Sequence, residues 1–334
     1  MRIYLAPMEG VVDHHLRHIL SRVGGIDICV TEFVRVTDHV LPEKVFKRYS
    51  PELLHGTKFT DTDTEDNTPL PKAALCPTRI QLLGSNAPKL AANARKAALM
   101  GAPGIDLNFG CPAKTVNKNR GGACLLQEPE TLYDIVSQVR QAVPIDIPVT
   151  AKIRLGYEER NGYIENAQAI CEAGANEIVV HARSKSDGYR PPAYWEYISE
   201  IKQHTSIPVV ANGDVWSAEN YRQCVERSEC EDVMLGRGLL AKPDLALEIK
   251  SLASNNDTAY TPMPWSQVAA LLLEFFEITT KVYPKKYMGN RAKQWLFYLK
   301  RQYPEAAELF DAIKRSRDYF DIKISIEQSA LVAA

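Results

Sequence analysis

The sequence predicts a closed parallel (β/α)8 TIM barrel followed by a small helical bundle. Three observations lead there. Short apolar runs, each ending in turn residues, recur eight times within the first 253 residues. Segments of helical period lie between most of them, and the polar residues that close the runs fall where such a barrel carries its chemistry. The runs are apolar throughout instead of alternating, as suits strands covered on both faces.

The strands are read at 3–8 (IYLAPM), 28–34 (ICVTEFV), 79–84 (RIQLLG), 104–110 (GIDLNFG), 148–156 (PVTAKIRLG), 177–183 (EIVVHAR), 208–214 (PVVANGD) and 232–238 (DVMLGRG). The segment 87–101 puts Leu90, Ala94, Ala97 and Ala98 on one helical face and ends at Gly101, a natural C-cap. Segments 128–143 and 163–175 behave alike. An open doubly wound sheet competes with the barrel, but it calls for G-x-G-x-x-G after the first strand, and APMEGVVD is not that. The connection 35–77 is long and holds an acidic, Thr- and Pro-rich surface excursion, TDTDTEDNTPLP at 60–71, with no assigned role. The barrel is expected to occupy residues 1–253, a linker 254–264, and a helical unit 265–334 with helices at 265–283, 290–303 and 304–316.

Composition excludes several classes. The 334 residues are 45% hydrophobic and 24% charged, with a net charge of −1, so nothing global marks a nucleic-acid binder. The N-terminus lacks the apolar core of a signal peptide, and no apolar run approaches the roughly 20 residues that span a bilayer. A cytoplasmic protein without membrane contact is expected. Seven scattered cysteines with no C-x-x-C pair argue against a disulfide framework or a zinc site. His14 and His18 stand four apart but lack the Glu of H-E-x-x-H, so surface or capping roles are expected and no metal.

The charge is uneven. Residues 281–303 carry Lys281, Lys285, Lys286, Arg291, Lys293, Lys300 and Arg301 and no acid, interleaved with aromatics such as Tyr283, Phe297 and Tyr298. Mutual repulsion disfavours such a cluster unless a polyanion offsets it. Aromatics beside it suit stacking on bases, although several must belong to the core.

The strand ends converge on one mouth: Pro7, Met8 and Glu9 after the first, Glu32 and Arg35 on the second, Gln81, then Asn108 and Cys111, Lys152 and Arg154, His181 and Arg183, Asn212-Gly213-Asp214, and finally Gly236-Arg237-Gly238. Glycines after strands seven and eight, with a helix opening at GRGLLAKPDLALEI, describe a phosphate site. Lys152 shares its parity with Thr150 and Arg154 and points inward. A buried lysine calls for an anion or a reactive carbonyl, so it serves either an anionic cofactor or a Schiff base. Cys111 lies where a strand stops and a basic loop with Lys114, Lys118 and Arg120 begins; Cys124 is the competing thiol of that loop.

In order along the barrel, APMEGVVD, IQLLG, DLNFGCPAKTVNKNRGGA, KIRLG, VVHAR, ANGDV and MLGRG resemble the flavin-dependent tRNA-dihydrouridine synthases. TEFVRV and NRAKQWLFYLKRQYPEA are similar to the bacterial C branch, which modifies uridine 16 of tRNA. The resemblance implies FMN reduced by NADPH, and reduction of the uracil C5–C6 bond. It implies that Pro7, Met8, Glu9, Gln81, Lys152, His181, Asn212, Gly213, Asp214, Gly236 and Arg237 contact FMN, and that Cys111 protonates C5 after hydride reaches C6. For tRNA, Arg35, Asn108, Arg154, Arg291, Lys293, Tyr298 and Lys314 are the candidates, and a monomer is the expected state. The rival readings are a flavin barrel acting on a free pyrimidine, like dihydroorotate dehydrogenase, a Lys152 Schiff-base aldolase, and a catalytically idle RNA-binding protein.

Overall fold

In the computed structural model, which describes residues 1–54, 76–253 and 260–332, nine short strands run in parallel. They are β1 (Ile3–Leu5), β2 (Ile28–Val30), β3 (Val34–Arg35), β4 (Thr78–Leu83), β5 (Ile105–Asn108), β6 (Val149–Arg154), β7 (Glu177–His181), β8 (Val209–Asn212) and β9 (Val233–Leu235). Each pairs with the next around a ring that closes where β1 meets both β2 and β9. β3 continues β2: Val30 faces Arg79 and Val34 faces Leu82, so Thr31, Glu32 and Phe33 oppose only Ile80 and Gln81. That is a bulge, pinned by Thr31 Oγ1, which accepts from the Gln81 N–H at 3.0 Å. The ring is therefore the predicted eight-stranded barrel, with strands shorter than the apolar runs because their ends turn into the mouth.

Alternation divides the core into two layers. Tyr4, Val30, Val179, Val210 and Met234 fill the barrel, while Ile3, Leu5, Ile178 and Val180 face the helices outside. The barrel floor is polar and closed. Glu177 accepts from Tyr4 Oη at 2.7 Å and Arg79 Nη1 at 2.5 Å, and pairs with Arg2 at 3.0 Å.

The barrel's helices are α1 (His14–Val23), α2 (Glu43–Tyr49), α3 (Ala87–Leu99), α4 (Lys114–Lys118), α5 (Pro129–Ala142), α6 (Tyr163–Glu172), α7 (Glu196–Gln203), α8 (Ala218–Ser228), α9 (Arg237–Ala241) and α10 (Leu245–Ala253). α3 begins where Asn86 Oδ1 accepts the Lys89 N–H at 3.1 Å and stops before Gly101, whose φ of +93° a side chain would resist. The expected capping role of His14 and His18 is corrected: Asp13 caps α1, accepting the Leu16 N–H at 2.9 Å, while both imidazoles are half-buried. The single helix expected after the eighth strand is two, because Pro243 cannot continue it.

Against α1 and α9 of the barrel lie α11 (Trp265–Val282), α12 (Asn290–Leu299), α13 (Pro304–Ile313) and α14 (Tyr319–Val332). Phe275, Phe276, Trp295 and Leu296 are fully buried among them. The bundle docks on the barrel through Trp295 Nε1, which donates to Leu240 O at 3.1 Å, and Tyr283 Oη, which donates to Asp13 Oδ2 at 3.2 Å. α14 escaped the sequence reading. Ile322 and Ile326 are buried, but Phe320, Ile324 and Leu331 are exposed, so no single apolar stripe marks it. Residues 60–71 and most of the expected linker, 254–259, lie outside the described residues. No helix among those described is long and apolar enough to cross a membrane.

Candidate active site

The loop after β5 is held by one side chain. Asn108 Oδ1 accepts from the backbone N–H groups of Gly110 at 3.0 Å and Cys111 at 2.9 Å. On the far side, Cys111 O accepts from Asn117 Nδ2 at 2.9 Å and from the Ala123 N–H at 3.1 Å. Gly122 passes so close that a Cβ there would meet Cys111 O at 2.8 Å, and its φ is +68°. The glycine pair of the sequence thus lets the chain fold back against the cysteine. Burial pushes the Cys111 thiol above its ordinary value, against smaller opposing effects of the Ala113 N–H and Arg154. It holds its proton.

Asn108 is itself oriented. Its Nδ2 donates to Gln81 Oε1 at 2.8 Å; Gln81 Nε2 donates to Asp106 Oδ2 at 2.7 Å; and Thr150 Oγ1 donates to Asp106 Oδ1 at 2.7 Å. Every bond points toward the carboxylate, so the acceptor-only Asp106 decides which way both amides face. All four residues are buried.

Above this chain opens a cavity of about 620 Å³. All the sequence candidates for the cofactor line it, from Pro7, Met8 and Glu9 through Gln81, Lys152 and His181 to the residues after β8 and β9, and so does Cys111. Lys152 Nζ donates to Asn212 Oδ1 at 2.9 Å, while Asn212 Nδ2 is fixed on Met234 O at 2.8 Å. Desolvation, with Arg154 adding to it, pulls Lys152 down to about 7. Burial and the cations Arg154, Lys152, Arg183 and Arg237 hold His181 well below the usual imidazole range, so it is neutral.

At the β8–β9 side, Asp214 sits between two guanidiniums. Arg237 Nη2 donates to its Oδ1 at 2.9 Å, and the fully buried Arg183 holds its Oδ2. Asp214 takes φ +53° and Gly213 +129°. The sequence places a phosphate site at the helix start that follows. α9 is only five residues long, so its dipole is small and the positive charge is that of Arg237.

The RNA candidates divide. Asn108, Arg154 and Tyr298 line the cavity, but Asn108 is engaged as described, and Arg154 is buried with Nε on Gly110 O at 2.8 Å and Nη1 on Ser184 O and Gly188 O, each at 3.0 Å. Arg35 is exposed at the end of β3, and Lys314 is exposed and paired with Asp311 at 2.7 Å. Arg291 is already engaged within the chain. Its side chain is 15% exposed, pairs with Asp13 at 2.8 Å and donates to Gly10 O and Val11 O, so it ties the bundle to the barrel. Lys293 likewise donates to Ser316 O at 2.5 Å. Of the acid-free stretch, Lys281, Lys285, Lys286, Lys300 and Arg301 are exposed.

Two aromatic rim residues were missed by sequence reasoning. Tyr189 and Trp216 line the cavity, with the Arg237 guanidinium 5.0 Å from each ring and Arg301 at 3.9 Å from Trp216. Their only sequence signal was a position in the loops after the sixth and seventh predicted strands.

A barrel whose mouth gathers a protonated thiol, an inward lysine and an arginine-flanked turn has the layout of an enzyme site. The model of the dihydrouridine synthase (Dus) family matches residues 4–333, and the chain belongs to that family. It is 49% identical over 318 residues to a tRNA-dihydrouridine(16) synthase of Pseudomonas putida, covering 95% of this chain and 94% of that protein. With the protein of the same name from Shewanella oneidensis it shares 47% over 329 residues, 98% of each chain. A solved structure of 2-naphthoyl-CoA reductase with 2-naphthoyl-CoA shares the fold, at a TM-score of 0.50 and 14% identity over 75% of this chain and 50% of that one.

Proposed function

We propose that this chain is a tRNA-dihydrouridine synthase that reduces the C5–C6 bond of uridine 16 in tRNA, with FMN bound in the barrel mouth and NADPH as reductant. One observation carries the reading: Cys111, Lys152 and Arg237 line a single cavity, in a chain whose relatives are named for that reaction.

The residues suit an anionic, ring-bearing cofactor. Lys152 has one fixed partner and a charge weakened by desolvation, which an anion would restore. Gly236 leaves a close approach where a Cβ would meet Met8 Sδ at 3.3 Å, and Arg237 suits a phosphate. Pro7 and Met8 would lie against the ring, Gln81, Lys152 and His181 at its polar edge, and Asn212, Gly213, Asp214 and Gly236 toward the phosphate. When bound and reduced, FMN supplies the hydride that adds to uracil C6.

The remaining chemistry belongs to the chain. Cys111 holds a proton at Sγ and gives it to C5 as negative charge develops there, which is general acid catalysis. The raised thiol value favours this, since a thiolate has no proton to give. Asn108 and Arg154 hold the N–H and the C=O of the Gly110–Cys111 peptide, directly before that sulfur. Lys152 stabilises negative charge at the ring edge and does not react. The uridine must leave its stack, at a cost of a few kcal/mol, and Arg35 with the exposed lysines of 281–300 would offset this on the phosphates.

The test is to incubate the protein with unmodified tRNA and NADPH and map the reduced base. Dihydrouridine at position 16, lost in Cys111→Ala while FMN is retained, is the expected result. Normal turnover by Cys111→Ala, or reduction of a free pyrimidine in place of tRNA, would overturn the reading.

A further inference from the structure

One pair of sulfurs, remote from the mouth, has no part in that chemistry. Cys29 Sγ and Cys76 Sγ are 3.2 Å apart. Cys29 is fully buried on β2, with its N–H on Pro77 O at 2.9 Å, and Cys76 is 8% exposed just before β4. Both belong to the layer between barrel and helices, not to the barrel interior. Ser21 Oγ of α1 lies 3.3 Å from one sulfur and 3.4 Å from the other and donates to Arg17 O at 2.8 Å. Arg17, 2% exposed, pairs with Glu52 at 2.8 Å, and among the described residues its Nε has no hydrogen-bond partner. Among the described residues no second pair of cysteines is hydrogen-bonded sulfur to sulfur.

From this geometry we infer that Cys29 and Cys76 form an oxidisable dithiol, a site where a peroxide installs a reversible disulfide between β2 and the start of β4. The sulfurs, 3.2 Å apart, need to close by about 1.2 Å to reach bonding distance. One proton is shared across the pair. The hydrogen bond from Cys29, with the Arg17 charge, draws Cys76 down to about 7 against burial, whereas that same bond and burial push Cys29 up. Cys76 is therefore the attacking thiolate.

The step balances with hydrogen peroxide as oxidant. The Cys76 thiolate attacks one peroxide oxygen; the O–O bond breaks, hydroxide leaves, and the sulfur becomes a sulfenic acid. The Cys29 sulfur then attacks Cys76 Sγ; the S–S bond forms, the S–O bond breaks, and the hydroxyl leaves with the Cys29 proton as water. Two electrons pass from the two sulfurs to peroxide. Cys111 is the poorer nucleophile because burial keeps it protonated.

The experiment uses the full-length, flavin-loaded protein treated with stoichiometric hydrogen peroxide, alkylated in denaturant and mapped by mass spectrometry. The expected product is one linked Cys29–Cys76 peptide, two hydrogens lighter than the separate peptides and split by dithiothreitol, with Cys111 and Cys124 still open to alkylation. In Cys29→Ser the link should vanish and Cys76 should form a dimedone adduct. Full alkylation of Cys29 and Cys76 at a peroxide dose that oxidises Cys111 overturns the proposal, and the wild-type map alone suffices to show it.

Discussion

Asn108 Oδ1 accepts the Cys111 N–H at 2.9 Å, and that bond joins the reactive thiol to a buried carboxylate three side chains away. The asparagine read from sequence as an RNA contact thus has a prior engagement. Asn108→Asp keeps the acceptor toward the loop but sets a second acceptor against Gln81 Oε1 and adds a buried charge, whereas Asn108→Leu loses both bonds. Tightly held geometry is worth up to about 10²-fold in rate. The leucine variant should lose about that much kcat and the aspartate variant clearly less, in single-turnover reduction of tRNA.

On the proposed mechanism, Cys111 should set the alkaline limit. A free thiol titrates near 8.5, and burial raises this one. An acid works while protonated, so the proton-transfer rate should stay level through neutral pH and fall only above about 8.5. A pH profile of single-turnover rates reads this directly. Cys111→Ser, a much weaker acid, should be slow and lose that alkaline limb.

Lys152 should take up a proton when the cofactor binds. Folded, it titrates at about 7, against about 10.4 unfolded. Between those values the folded protein binds fewer protons than the unfolded chain, so Lys152 lowers stability below pH 7 and ceases to do so above about 10.4. An anion beside Nζ restores its charge. Affinity for FMN should therefore weaken as pH rises from 7, and calorimetry in buffers of differing ionisation enthalpy should register proton uptake that Lys152→Met abolishes.

Arg291 and the exposed lysines should behave oppositely. Removing Arg291 leaves Asp13 as a largely buried, uncompensated carboxylate, at a cost of about 3 kcal/mol, and should lower the Tm with little change in the salt dependence of tRNA binding. Lys285→Glu with Lys286→Glu should leave the Tm nearly unchanged and weaken binding. The slope of log Kd against log salt should flatten by about 0.7 to 0.9 for every phosphate that these lysines cease to neutralise.

How much of this was legible follows from what each element depends on. Strands such as Ile178-Val179-Val180 are apolar on both faces, so their existence and order could be read, as could the mouth, because a barrel places strand ends together whatever its loops do. Lys152 was readable as inward from parity alone. What failed was partnership. Nothing in NRAKQW distinguishes Arg291, which reaches Asp13, from Lys285 or Lys286, which face solvent, since the distinction depends on how α12 docks against α1. Tyr189 and Trp216 were missed for a related reason: loop aromatics have no period. The Cys29–Cys76 contact joins residues that only the pairing of β2 with β4 brings together.

Glu177, gripped by Tyr4, Arg79 and Arg2, stoppers the far end of the barrel. Traffic must then enter and leave through one doorway. For the proposed reaction, tRNA and NADPH would then use it in turn, and double-reciprocal plots at several fixed levels of either should give parallel lines.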